Sequence, residues 1–91
     1  GFQDVLYINY RMDEPGFLAT VRIFDRHGRP VRELTNNLVL ATTGTISWDG
    51  VTDDRSKARI GPHIILIETY HPEGRTETFK LACVVAGRLS R

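Results

Sequence analysis

The chain has 91 residues, 41% hydrophobic and 25% charged, with 12 basic against 11 acidic side chains and a formal charge of +1. That length holds one hydrophobic core, and the composition is that of a folding globule, not of a disordered or low-complexity chain. Interspersed charge gives no basic field for nucleic acid, no run of about 20 apolar residues spans a membrane, and the lone Cys83 excludes an internal disulfide or thiolate metal cluster.

Apolar residues recur with a period of two, which predicts strands throughout and no convincing helix. Asp4 to Arg11 alternates Leu6, Ile8 and Tyr10 against Val5, Tyr7 and Asn9, and Met12 to Gly16 supplies turn residues. Leu18 to Asp25 sets Ala19, Val21 and Ile23 on one face and Thr20, Arg22 and Phe24 on the other. Asp25 to Gly28 predicts a tight hairpin in which Gly28 takes positive φ. A short partner strand over Pro30 to Thr35 belongs near a sheet edge, since Pro30 lacks a ladder donor. Asn36 and Asn37 predict a turn, and Leu38 to Ala41 a crossing between sheets.

Thr43 to Trp48 predicts a fourth strand, and Asp49 to Gly61, with two glycines and three aspartates, an exposed loop. Pro62 to His71 is the strongest strand, its run Ile64 to Ile67 reading as covered on both faces. After the turn signal His71 to Gly74, Arg75 to Ala86 predicts a last antiparallel strand with Phe79, Leu81, Cys83 and Val85 on one face. Residues 1–87 therefore form one domain, an all-β, immunoglobulin-like antiparallel sandwich of six to seven strands, followed by a flexible tail at 88–91. The absence of an initiator Met suggests a fragment cut from a longer chain or a processed product.

Ala19 to Asp25, followed by Gly28, Val31-Arg32-Glu33-Leu34 and then Trp48-Asp49-Gly50 and Gly61, resembles the FlgD-type immunoglobulin-like domain family. The signature residues are Asp25, Gly28, Val31, Leu34, Trp48, Asp49, Gly50 and Gly61. The family usually carries another glycine near Arg55 and a tyrosine shortly after the later glycine, where this chain has Pro62-His63. Family members are small sandwiches in flagellar hook-cap scaffolds, and similar modules end large secreted or surface proteins of gliding bacteria, some exported by type IX secretion. The resemblance implies a non-catalytic structural, interaction or secretion-sorting module of an exported protein, placed outside the cell or at its surface after transit through the periplasm. Its implied partners are neighbouring domains or the secretion machinery, its isolated state is monomeric, and it takes no cofactor.

Residue chemistry yields weaker alternatives. Asp49, Asp53 and Asp54 could offer oxygens to Ca²⁺, but their spacing is not that of a calcium loop and Arg55, Lys57 and Arg59 surround them. Those three cations form an alternating row that on a strand would face an acidic partner or a polysaccharide carboxylate, set against the plainer reading of a solvated loop. His27, His63 and His71 lack metal-site spacing and read as solvated or capping residues. Cys83 shares an apolar face and reads as a buried small hydrophobe rather than a nucleophile. Tyr7, Tyr10 and Tyr70 supply the alternative function, a carbohydrate-binding accessory module that tethers a neighbouring enzyme to polysaccharide. No catalytic constellation is present, so no enzyme is expected.

Overall fold

A computed structural model describes residues 5–86; Asp4, Gly87 and the expected tail at 88–91 lie outside them. The described chain is all-β, with six strands: β1 (Leu6–Arg11), β2 (Leu18–Asp25), β3 (Pro30–Val39), β4 (Thr43–Trp48), β5 (Gly61–Tyr70) and β6 (Thr76–Val85). They form two antiparallel sheets, β1-β4 and β3-β2-β5-β6. No helix and no seventh strand occurs among the described residues.

The period-two pattern places the core between the sheets. Ile8, Ile46 and Trp48 point in from the two-stranded sheet to meet Ala19, Val21, Ile23 and Ile65 of the other, and Phe17 and Leu40 close one end. Val21 and Ile23 are fully buried because β2 is central, flanked on both sides by hydrogen-bonded strands. Burying such a side chain contributes about 1.5–3 kcal/mol, so this small cluster is the main source of stability in a chain without cross-links.

The expected turn at Asn36-Asn37 is a correction. The strand continues through both residues to Val39, and Leu18 pairs with Val39 and Ala19 with Leu38. The pair is absorbed as a bulge: Asn37 sits at φ 53°, and its N–H donates to the Thr20 hydroxyl at 3.1 Å. Pairing then runs on to Phe17, whose carbonyl accepts from Leu40 N–H at 2.7 Å. The crossing between sheets therefore falls at Ala41-Thr42, later than the sequence suggests. Further register shifts in β3 twist this edge strand, which discourages edge-to-edge association.

A second correction concerns β5. Ile65 is buried on the inner face, but Ile64 on the outer face is 41% exposed, so only one face of this apolar run is covered. The outer face is organised instead by Arg22, which pairs across strands with Glu33 at 3.2 Å and Glu68 at 3.1 Å. Phe79 and Leu81 point to the inner side of β6, as their register with Ile67 and Ile65 requires, yet are 46% and 44% exposed.

Candidate functional site

Six of the signature residues, Asp25, Gly28, Trp48, Asp49, Gly50 and Gly61, gather at one end of the sandwich in or beside the β2–β3 hairpin and the β4–β5 loop, while Val31 and Leu34 lie within β3. At the hairpin, Asp25 Oδ1 accepts the N–H groups of His27 (2.8 Å) and Arg29 (3.0 Å), while Oδ2 pairs with Arg29 Nε at 3.0 Å. Gly28, at φ 81°, donates its N–H to the Asp25 carbonyl. The Arg29 N–H is the main reason the Asp25 carboxyl lies below its ordinary value; desolvation opposes it, and the His27 N–H and the Arg29 guanidinium add to the lowering. Val31 and Leu34 are half-buried and pack against the core from β3.

At the loop, Trp48 ends β4 with its ring buried, and its indole N–H donates to the Val51 carbonyl at 2.9 Å. Asp49 Oδ1 accepts Val51 N–H at 3.0 Å, and Gly50 reverses the chain at φ 82°. The loop then folds on itself: Ala58 N–H donates to Gly50 O, and Thr52 N–H to Ser56 O. Arg55 sits at its tip at φ 72°, the left-handed conformation in which glycine is unstrained, at the point where the resembled family usually carries glycine. Asp54 accepts the Thr52 hydroxyl and the Ser56 N–H, and the Thr52 bond is the largest cause lowering its carboxyl.

Asp53 turns outward and docks the loop on β3. Its N–H donates to Val31 O at 2.9 Å, its carboxylate accepts Glu33 N–H at 3.1 Å, and Arg32 Nε lies 3.8 Å away. Arg32 also donates to Val51 O at 3.0 Å. The loop thus occupies part of the outer edge of β3 and satisfies groups that a free edge would expose. Asp49, Asp53 and Asp54 aim at three different backbone segments. Among the described residues no group of three or more His, Cys, Asp or Glu side chains converges as metal ligands. The row Arg55, Lys57 and Arg59 is not a strand face, since Arg55 is at a turn and only Lys57 makes a bridge, to Val51.

Two of the three histidines are buried where solvated residues were expected, although His71 still caps a turn. His27 is exposed in the hairpin, but His63 and His71 are only 2% and 7% exposed. His63 lies behind Gly61 (φ 132°) at the start of β5; its Nδ1 faces Gly61 O at 3.0 Å and its ring packs on Trp48 at 5.9 Å. At the far end, His71 stacks edge-on against Phe17 at 4.8 Å, with Nε2 3.3 Å from Glu14 and Nδ1 accepting Glu73 N–H. Arg75 binds the other Glu14 oxygen at 2.6 Å and covers the Phe17 ring. This cluster escaped the sequence reading, although His63, Ile65, Ile67, Thr69 and His71 share one parity and so one face.

Cys83 is half-buried, and burial pushes its thiol up, away from the reactive thiolate. The three tyrosines stand on different surfaces. Tyr7 is on the outer face of β1, Tyr10 turns inward and lies across Gly44, and Tyr70 is on the outer face of β5. Comparison with family models, curated proteins and solved structures finds no match.

Proposed function

We propose that the chain is a non-catalytic interaction module of a larger exported protein, acting in structural contact or secretion sorting. One observation carries this reading: Asp25, Asp49, Asp53 and Asp54 each spend carboxylate oxygens on backbone N–H groups of turns or of β3. Groups so committed hold shape and are not free for general acid–base work or for ligand capture. Apolar side chains such as Tyr7, Val39, Ile60 and Val84 also stay open to solvent, and exposed apolar surface is material for protein contact. The resemblance of Val31-Arg32-Glu33-Leu34 and Trp48-Asp49-Gly50 to FlgD-type modules points the same way. The glycan reading has less support, because the tyrosines share no face on which a sugar could stack.

The test is to append residues 1–91 to a periplasmic reporter in a bacterium competent for type IX secretion. Appearance of the reporter at the cell surface or in the medium is the expected result. Retention in the periplasm would remove sorting and leave the structural role, which co-purification with flanking domains of the parent protein then checks.

A further inference from the structure

We infer that the paired clefts between the β2–β3 hairpin and the β4–β5 loop bind an extended acidic segment of a partner protein, its carboxylates set beside an apolar side chain. The inference rests on the interaction-module reading and names the contact site and the chemistry of the partner.

The clefts come from the same turns that hold the signature residues. One, of about 440 Å³, opens among Arg26, His27, Ile60 and Pro62, and the other, of about 750 Å³, among Val31, Thr52 and Lys57. Asp25, Arg29, Arg59 and the buried His63 line both, so the two clefts are neighbours that share a wall. Those walls are fixed without a ligand: Asp25 closes the hairpin, Asp53 pins the loop to β3, and Ala58 N–H donates to Gly50 O. An ordered site costs less conformational entropy to occupy.

Charge sets the sign of the ligand. Arg26, Arg29, Lys57 and Arg59 line the clefts and Arg32 stands beside Asp53, so five cations meet the three carboxylates of Asp25, Asp53 and Asp54. The carboxylates are already engaged, Asp25 by its turn and Arg29, Asp53 by Glu33 N–H and Arg32, Asp54 by Thr52 and Ser56. Arg26, Lys57 and Arg59 are exposed and make no ion pair among the described residues. An incoming carboxylate therefore meets cations without displacing an existing pair, and the cleft walls focus the field on it. Of the basic row in the sequence, Lys57 and Arg59 line the clefts and Arg55, at the loop tip, lines neither.

Spacing and lining choose the partner. Arg26 and Lys57 line different clefts and Arg59 lines both, so the cations are strung out and do not converge on one point. That arrangement suits carboxylates spaced along an extended chain, where a lone phosphate needs converging donors. No Phe, Tyr or Trp among the described residues lines either cleft, so a sugar ring or a base finds no face on which to stack. Ile60, 72% exposed, and Pro62 form an apolar rim that a leucine beside the carboxylates would cover.

The experiment titrates the ¹⁵N-labelled chain with the end-blocked peptide Gly-Glu-Leu-Glu-Gly-Glu-Gly. Saturable shifts are expected at Arg26, Lys57, Arg59, Ile60 and His63, with affinity falling at least tenfold as salt rises from about 0.05 to about 0.5 M, and none with the glutamine counterpart of the peptide. Arg26→Glu and Arg59→Glu should each weaken binding at least tenfold while circular dichroism stays native. Arg11→Glu makes the same charge change at the opposite end of the sandwich and should keep binding within twofold. Unchanged spectra at millimolar peptide would overturn the inference, whether the clefts are filled by another part of the chain or lack affinity. Equal losses for Arg59→Glu and Arg11→Glu would also overturn it, as would tighter binding of oligogalacturonate or single-stranded RNA than of the peptide. The reporter assay reads location and this titration reads the clefts, so either can fail alone.

Discussion

Trp48 donates its indole N–H to the carbonyl of Val51, three residues on, and so ties the end of β4 to the loop that follows it. The same carbonyl accepts from Arg32 Nη1 at 3.0 Å, so the core, the loop and β3 meet at one oxygen. Trp48→Phe keeps most of the buried ring and leaves that oxygen one partner, with an expected loss of about 1–2 kcal/mol. Trp48→Ala opens a cavity and should cost about 3–5 kcal/mol, a large share of the total stability of a domain this size. Urea unfolding followed by circular dichroism checks both, and equal losses would show that the hydrogen bond, not the ring, dominates.

Arg55 and Gly28 both hold left-handed backbone, at φ 72° and 81°, and should respond to substitution with opposite signs. A side chain in that region costs about 1–2 kcal/mol, and glycine's extra freedom when unfolded costs about 0.5–1 kcal/mol. Arg55→Gly should therefore gain about 0.5 kcal/mol and Gly28→Ala lose about 1 kcal/mol, although nothing crowds the position a Cβ would take at Gly28. Thermal unfolding of the two variants decides it, and a loss for Arg55→Gly would mean that its side chain makes a compensating contact.

These positions also mark what the sequence discloses. The bounds of β2 and β4 are legible residue for residue, because alternation in a strand packed on the core is enforced at every position. The hairpin at Asp25 to Gly28 is legible for a local reason, since its bonds lie within five residues. The bulge at Asn36-Asn37 is not, because it depends on the hydroxyl of Thr20 on another strand. The docking of Asp53 on Glu33 spans 20 residues and has no local signature. The inward parity of Phe79 and Leu81 is legible, but their exposure depends on how many strands lie opposite, which no local pattern encodes.

Acid sensitivity should trace to Asp25 and Asp54. Both carboxyls lie below the ordinary value of 3.8, Asp25 chiefly through Arg29 N–H and Asp54 chiefly through the Thr52 hydroxyl. A carboxylate whose folded value is depressed adds stability that is fully present above its unfolded value and is lost as pH falls through the folded one. The melting temperature should therefore hold steady above about pH 5 and decline below about pH 4. Asp25→Asn and Asp54→Asn should lower it at neutral pH and flatten that decline. A variant whose pH profile stays parallel to the parent's would clear its carboxylate of the effect.

At the opposite end, Glu14 links the β1–β2 connection to the β5–β6 turn through His71 and Arg75. Because His71 Nδ1 accepts the Glu73 N–H, the ring hydrogen sits on Nε2, which lies 3.3 Å from a Glu14 oxygen. Glu14→Ala leaves that buried donor without an acceptor, at an expected cost of about 1–2 kcal/mol. In a domain this size the melting temperature falls by about 4–8 °C per kcal/mol. Glu14→Gln keeps an acceptor oxygen and should lose less than half as much. Arg75→Ala removes an exposed ion pair and the cover on Phe17, together about 0.5–1 kcal/mol. A melting temperature lower for Glu14→Ala than for Glu14→Gln, with Arg75→Ala between or above the two, identifies the His71 donor as the dominant contact; a larger loss for Arg75→Ala would assign that role to its guanidinium.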